Sequence, residues 1–260
     1  MKNFLSKFIN KNLNSSISIN GDVITGISPL KKSGSFLSSG NSVSFCGYIN
    51  SNKVKIYQAC NQDSLKLRLM INSFFKAKNK CFSFPEVISV FHDYIIEEWI
   101  DGHSLDNQVM HKKLVTDFLN QSSTINYKSE FFINYNGFSY FDNFLLNRLD
   151  HMNFITNIPK ITDDWFNYRQ NHHKSRKMIS HNDLTQSNII KRNENYYIID
   201  NEFLTYGDCH VLNYYNSRAV SFNSINRFVN KTIHVREICS NYFRNSFKKM
   251  IKYIDTYPYD

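Results

Sequence analysis

The residues best suited to chemistry lie in one short stretch, residues 179–200. His181 and Asp183 are separated by a single residue, Asn188 stands five residues after that aspartate, and Asp200 closes an apolar run, Tyr196-Tyr-Ile-Ile. Phosphoryl transfer from a nucleoside triphosphate uses these residue types in this order. One carboxylate accepts the proton of the attacking hydroxyl. An amide oxygen and a second carboxylate hold the magnesium ion that bridges the phosphates. Between Asn188 and Asp200 stand two β-rich runs around a polar turn, Arg192-Asn-Glu-Asn195. A loop followed by a hairpin brings Asp200 back beside Asn188, so that Asp183, Asn188 and Asp200 point into one cleft. A lone His-x-Asp is weak evidence, because Asp and Asn are ordinary turn formers. The strand-turn-strand context and the apolar run before Asp200 carry the reading.

At these residues the chain resembles the aminoglycoside phosphotransferase and choline kinase group. Their catalytic loop reads approximately H-G-D-x-x-x-x-N and is followed by I-D-x-E. The matching residues are His181-Asn-Asp183, Asn188 and Ile199-Asp200-Asn-Glu202, with Asn182 in place of the usual Gly or Arg. The resemblance implies an α+β, two-lobed protein-kinase-like fold, with a small antiparallel β-rich N-lobe and a larger helical C-lobe. It implies ATP and Mg²⁺ as cofactors and transfer of the γ-phosphate to a hydroxyl of a small molecule or sugar, a surface-polysaccharide or lipid-linked precursor among them. Asp183 is then the catalytic residue, and Asn188 and Asp200 are the metal ligands. Glu202 either assists the metal or braces the loop, and His181 packs the loop.

Upstream, residues 33–59 read as a three-stranded meander, with strands at 35–38, 43–49 and 53–59 and turns at 39–42 and 50–52. Gly40 sits in the first turn, where backbone N–H groups can approach a phosphate. Strand alternation puts Lys53, Lys55 and Tyr57 on one face. The family's phosphate-binding lysine lies on this strand in a string like L-K-I-Y, which makes Lys55 the candidate here. Residues 63–78 read as a helix capped by Asp63-Ser64. Kinases usually hold the strand lysine with a Glu on this helix, yet no Glu occurs between Lys55 and Glu86. Three alternatives stand: Asp63 substitutes, another acid does, or phosphate alone holds the lysine. After Pro85 come two strands around a turn at His92-Asp93. The string Ile96-Glu-Glu98-Trp-Ile100-Asp-Gly102-His-Ser-Leu105 resembles the family's inter-lobe linker, approximately E-x-I-x-G-x-x-L. By that resemblance Glu98, Trp99 and Ile100 line the adenine slot.

From Leu105 onward the pattern is mainly helical. The basic run Asn171-His-His-Lys-Ser-Arg-Lys177 either faces an anionic acceptor or is a solvated helix end. Family members often continue G-D-P-x-x-D-L after the metal-binding Asp, and the later Asp anchors the catalytic loop. After Gly207-Asp208 the corresponding place holds Leu212, with Asn213 beside it, so the anchoring charge is missing. Residues 220–255 read as helical and basic, with one buried face and solvated lysines. At the other end, residues 1–13 place Phe4, Leu5, Phe8 and Ile9 at helical spacing among Lys2, Lys7 and Lys11. That is either an interfacial helix on an anionic membrane or a terminal helix packed on the domain. Residues 14–26 read as a polar connector with a Gly21-Asp22 turn.

A length of 260 residues suits one large domain or two small lobes, and 42% hydrophobic residues allow a proper core. The expected organisation is an N-terminal segment at 1–26, an N-lobe at 27–102 and a C-lobe at 103–260. The net charge of +9 suits anionic ligands. The basic residues are scattered and form no nucleic-acid module, so nucleotide and an acidic acceptor rank above nucleic acid. Five cysteines stand singly, with no C-x-x-C, as expected of free thiols in a reducing compartment. No transmembrane-length apolar run and no signal-peptide pattern occur. The expectation is a cytoplasmic protein, with residues 1–13 as the one candidate contact with the inner membrane face. Two rivals stand beside the small-molecule kinase: a protein or effector kinase, and a pseudokinase that binds a partner. The short segment after Asp200 favours a small acceptor. The missing helix Glu and the missing anchor Asp motivate the pseudokinase.

Overall fold

The computed structural model describes residues 16–30, 44–59, 62–75, 81–128, 130–133, 145–171, 177–181, 183–201, 204–208 and 227–259. Residues 1–13, the strand at 35–38, Gly40, Glu202, Leu212 and Asn213 lie outside them.

The first described strands correct the connector expected at 14–26. Strands β1 (Ile17–Ile19) and β2 (Asp22–Pro29) form a hairpin. Asn20 and Gly21 make its turn with φ of 52° and 91°. Left-handed backbone at both turn positions is the geometry that Asn-Gly favours and that matches the twist of the flanking strands. The isoleucines Ile19, Ile24 and Ile27 are buried, so burial of alternate residues, not loop polarity, decides this segment.

The sheet continues through β3 (Phe45–Ile49), β4 (Asn52–Gln58), β5 (Val87–Phe91) and β6 (Tyr94–Glu98). Among the described residues it is a six-stranded antiparallel sheet in the order β1-β2-β3-β4-β6-β5. The expected turn at His92-Asp93 joins β5 to β6, with His92 at φ 55°. Alternation along β4 divides the lobe into two layers. Val54 and Ile56 join Ile24, Phe45 and Ile96 in one core. Tyr57 packs on the opposite side with Ile95 and with Leu65 of helix α1 (Gln62–Phe74).

Among the described residues the C-lobe includes α2 (Gln108–Thr124), α3 (Glu130–Ile133), α4 (Ile158–Asn171), α5 (Arg227–Phe243) and α6 (Phe247–Asp255). Asn107 caps α2 by accepting from the Met110 N–H at 2.9 Å. Trp165 is fully buried and donates to Thr232 Oγ1 at 3.2 Å, which docks α5 on α4. Lys231 reaches Asp164 at 2.7 Å, and Tyr257 donates to the same carboxylate at 3.0 Å. Two basic side chains of this region, Lys231 and Arg236, are therefore buried rather than solvated. No helix among the described residues is long and apolar enough to cross a membrane. Cys46, Cys81 and Cys239 are free thiols.

The lobes share one core. Leu67, Ile71 and Phe75 from α1 and the residue after it join Phe82, Phe84 and Phe118 in the C-lobe cluster. Backbone bonds add a second tie. Ser83 donates to the Tyr196 carbonyl, and Ile198 donates to the Ser83 carbonyl, each at 2.8 Å. The linker then meets strand β9 (Ile189–Arg192) through the short β7 (His103–Ser104). Gly102 makes that approach feasible, because a Cβ there would lie 2.2 Å from the Lys191 carbonyl oxygen and 2.7 Å from Ile190 Cγ2. Gly102→Ala is expected to lower stability by about 1–3 kcal/mol. Thermal melting of the purified variant checks this; an unchanged midpoint would show that the linker and β9 can move apart at no cost.

Candidate active site

The stretch at 179–200 folds as a strand, a loop and a hairpin. Strand β8 (Lys177–Ser180) pairs with β11 (Thr205–Asp208), which fixes both flanks of the site. The loop enters a single 3₁₀ turn at Gln186–Asn188 and continues as β9. A turn at Asn193, with φ 55°, reverses the chain into β10 (Asn195–Ile198). Beyond β10 the Ile199 N–H donates to the Asn188 carbonyl at 2.9 Å, so the residue before Asp200 is bonded to the backbone of Asn188. Asp200 itself takes a left-handed φ of 57°, a conformation uncommon for a non-glycine residue.

Asp183 is held at both carboxylate oxygens. Asn188 Nδ2 donates to Oδ2 at 2.9 Å and to the Asp183 carbonyl at 2.7 Å. Arg236, from the middle of α5, donates from Nη2 to Oδ1 at 2.7 Å. With both amide hydrogens of Asn188 given to Asp183, its Oδ1 is turned away from that residue. His181 sits beneath the loop. Its Nδ1 accepts from the Asp183 N–H at 3.2 Å and its Nε2 donates to the Ile199 carbonyl at 2.9 Å. One ring nitrogen accepting and the other donating defines a neutral imidazole. Burial pushes its pKa below the usual histidine value, against the raising effect of Asp183. His181 thus joins the two acidic ends of the loop as a packing element.

The N-lobe contributes Lys55, whose ammonium bonds Asp200 Oδ1 across the cleft. That contact brings together residues 145 positions apart. Asp200, an acid other than Asp63, meets the lysine in this structure. Helix α1 instead carries a buried cation. Arg68 on α1 reaches Glu97 on β6 at 2.6 Å, with both side chains 1% exposed. Arg68 also donates to the Pro85 carbonyl at 2.7 Å, and Tyr57 donates to Glu97 at 3.1 Å. Glu97 stands directly across the sheet from Lys55, so the acid nearest in register is already committed to Arg68.

The linker residues stand where the sheet passes into the C-lobe. Glu98 bonds Arg192 at 2.6 Å, and Arg192 in turn donates to Tyr197 at 2.8 Å. Trp99 donates from Nε1 to Asp101 at 2.9 Å while Lys53 Nζ lies 3.7 Å from its ring centroid. Ile100 is buried. The fold therefore brings together Lys55 with Asp200 and Asp183 with Asn188, and it places Glu98, Trp99 and Ile100 at the lobe junction. Arg68, Glu97 and Arg236 were not singled out from the sequence. The only advance signals for them were the absent helix Glu and the absent anchor Asp.

No family model matches the chain, and neither does any curated protein. Solved structures do. The apo form of a thermostable mutant of aminoglycoside phosphotransferase APH(4)-Ia matches with a TM-score of 0.55 and 11% identity, over 90% of this chain and 92% of that one. A ternary complex of a thermostable APH(4)-Ia mutant with ADP and hygromycin B matches with a TM-score of 0.52 and 11% identity, over 96% and 95%. The gentamicin complex of APH(2'')-IIa matches with a TM-score of 0.50 and 16% identity, over 96% and 94%. The chain has the two-lobed protein-kinase-like fold of these aminoglycoside phosphotransferases. At such identities the likeness concerns the fold.

Proposed function

We propose that the protein is an ATP- and magnesium-dependent phosphotransferase that moves the γ-phosphate to a hydroxyl of a small molecule. The observation that carries the reading is the cleft itself, where Lys55 of the N-lobe meets Asp200 and the adjoining loop presents Asp183 locked to Asn188. In the reaction Asp183 takes the proton of the acceptor hydroxyl. The hydroxyl oxygen forms a bond to the γ-phosphorus, the bond from that phosphorus to the β–γ bridging oxygen breaks, and ADP leaves with the bonding pair. Lys55 neutralises phosphate charge, and the segment Glu98, Trp99 and Ile100 lines the adenine slot. Asn188 Oδ1 and the half-exposed Asp200 carboxylate are hard oxygen donors of the kind magnesium takes. When bound, the ion would neutralise the phosphates between them. Catalysis then rests mainly on positioning and charge neutralisation.

The class of acceptor follows from the short route between Asp200 and β11, which favours a small molecule over an extended peptide. The complexes of the neighbours with hygromycin B and gentamicin support the same class. The net charge of +9 favours an anionic acceptor over the cationic antibiotics found there. A panel of sugars, sugar phosphates, aminoglycosides, choline and protein substrates with labelled ATP decides between them. Transfer confined to proteins would overturn the small-acceptor reading.

The direct test of the site is Asp200→Ala. It is expected to abolish the Mg²⁺-dependent part of the thermal stabilisation by ATP, the dependence following from ligand linkage. Stabilisation by MgATP that is unchanged in this variant would remove the assignment.

A further inference from the structure

Between Asp183 and Asn188 the loop reads Asp-Leu-Thr-Gln-Ser-Asn and carries no cation of its own. Arg236 brings one from 53 residues further on. Its side chain is 8% exposed against 35% for the Asp183 carboxylate it meets. The arginine is thus seated in the C-lobe and only its partner faces the cleft. Its helix is fixed independently of the loop, by Trp165 bonding Thr232 and Asp164 bonding Lys231. Donors from Arg236 and Asn188 on the two separate oxygens of Asp183 remove the rotation about its terminal bond that a carboxylate otherwise keeps.

We propose that Arg236 is a positioning residue for phosphoryl transfer. It fixes the Asp183 carboxylate against α5 and offsets its charge where a polyphosphate must approach. The inference rests on the phosphotransferase reading above. Asp183 itself does not need the pair in order to be charged, because its carboxylate is 35% exposed and water can solvate it. What the pair supplies is orientation of a reacting group. The arrangement also gives each cleft carboxylate its own cation, Lys55 for Asp200 and Arg236 for Asp183. As the structure stands, neither acid presents uncompensated charge to the cleft.

The test uses the full chain, with ATP and Mg²⁺ and with water as the acceptor, read as release of inorganic phosphate. Arg236→Gln is expected to lower kcat by about a hundredfold with KM for ATP within about twofold of the parent. Arg236→Lys keeps the charge but not the fork geometry, and should recover about tenfold of that loss. Asp183→Asn combined with Arg236→Gln should be no slower than Asp183→Asn alone, since residues acting as a unit are not additive. A kcat for Arg236→Gln within about twofold of the parent, or a loss fully additive with Asp183→Asn, would overturn the proposal. If Arg236→Gln does not fold, Arg236→Lys carries the decision, and parent-like kcat in it overturns the proposal equally. A parent chain that neither binds MgATP nor releases phosphate removes the phosphotransferase reading first, and this inference with it.

Discussion

Asp183→Asn is expected to leave MgATP binding near normal and to lower turnover by about two or more orders of magnitude. The substitution keeps the shape of the side chain and one oxygen acceptor. It replaces the other oxygen by an amide that cannot take a proton from a hydroxyl. The position of the site predicts the split between binding and chemistry. On the proposed mechanism, phosphate and metal contacts would fall to Lys55, Asn188 and Asp200, while Asp183 is held by Asn188 and Arg236. Titration with a fluorescent ATP analogue and single-turnover transfer separate the two quantities. Full activity of the variant would refute the mechanism.

A second large effect is expected at the buried pair of Arg68 and Glu97. Arg68→Met should cost about 3–5 kcal/mol in urea unfolding, because it strands Glu97 as an uncompensated charge in the interior. Both partners are 1% exposed, and the guanidinium also satisfies the Pro85 carbonyl. Replacing both partners by apolar residues, Arg68→Met with Glu97→Leu, should recover most of the loss. There is a functional arm as well. Glu97 lies opposite Lys55 in the sheet, so a Glu97 released from Arg68 competes with Asp200 for that lysine. ATP affinity of Arg68→Met should fall even under conditions where it remains folded. A loss below about 1 kcal/mol would show that the cluster is not the buried ion pair described.

The local parts of this architecture were legible in the sequence, and the long-range parts were not. The loop and hairpin from His181 to Asp200 could be read because turn residues and apolar runs alternate within about twenty residues, and the backbone ladder of β9 and β10 follows that alternation. Helix α1 and the β5–β6 turn were readable for the same reason. The hairpin at Asn20-Gly21 carried an equally strong turn signal. It was outweighed by the Ser and Asn around it, although Ile19, Ile24 and Ile27 already marked the buried face. The partners of Arg68 and Arg236 had no such signal. Each pair joins residues 29 or 53 positions apart, and a basic residue on a helix reads as solvated until the fold covers it. The gaps in the motif showed only against the pattern of the family that the sequence resembles, and the partners of Arg68 and Arg236 depend on how the helices pack.

If the protein is the phosphotransferase proposed, the bond between Lys55 and Asp200 couples the binding of nucleotide to that of metal. Each of these groups is the other's counter-ion in the structure. A magnesium ion alone must displace an ammonium that then has no phosphate to receive it. A nucleotide alone draws the lysine away and leaves Asp200 facing negative oxygens. Only the two together exchange every charge for a new partner, the lysine for a phosphate and the carboxylate for the metal. On that reading the pair would act as a coincidence detector, in which each ligand raises the affinity for the other by the same factor, as linkage requires.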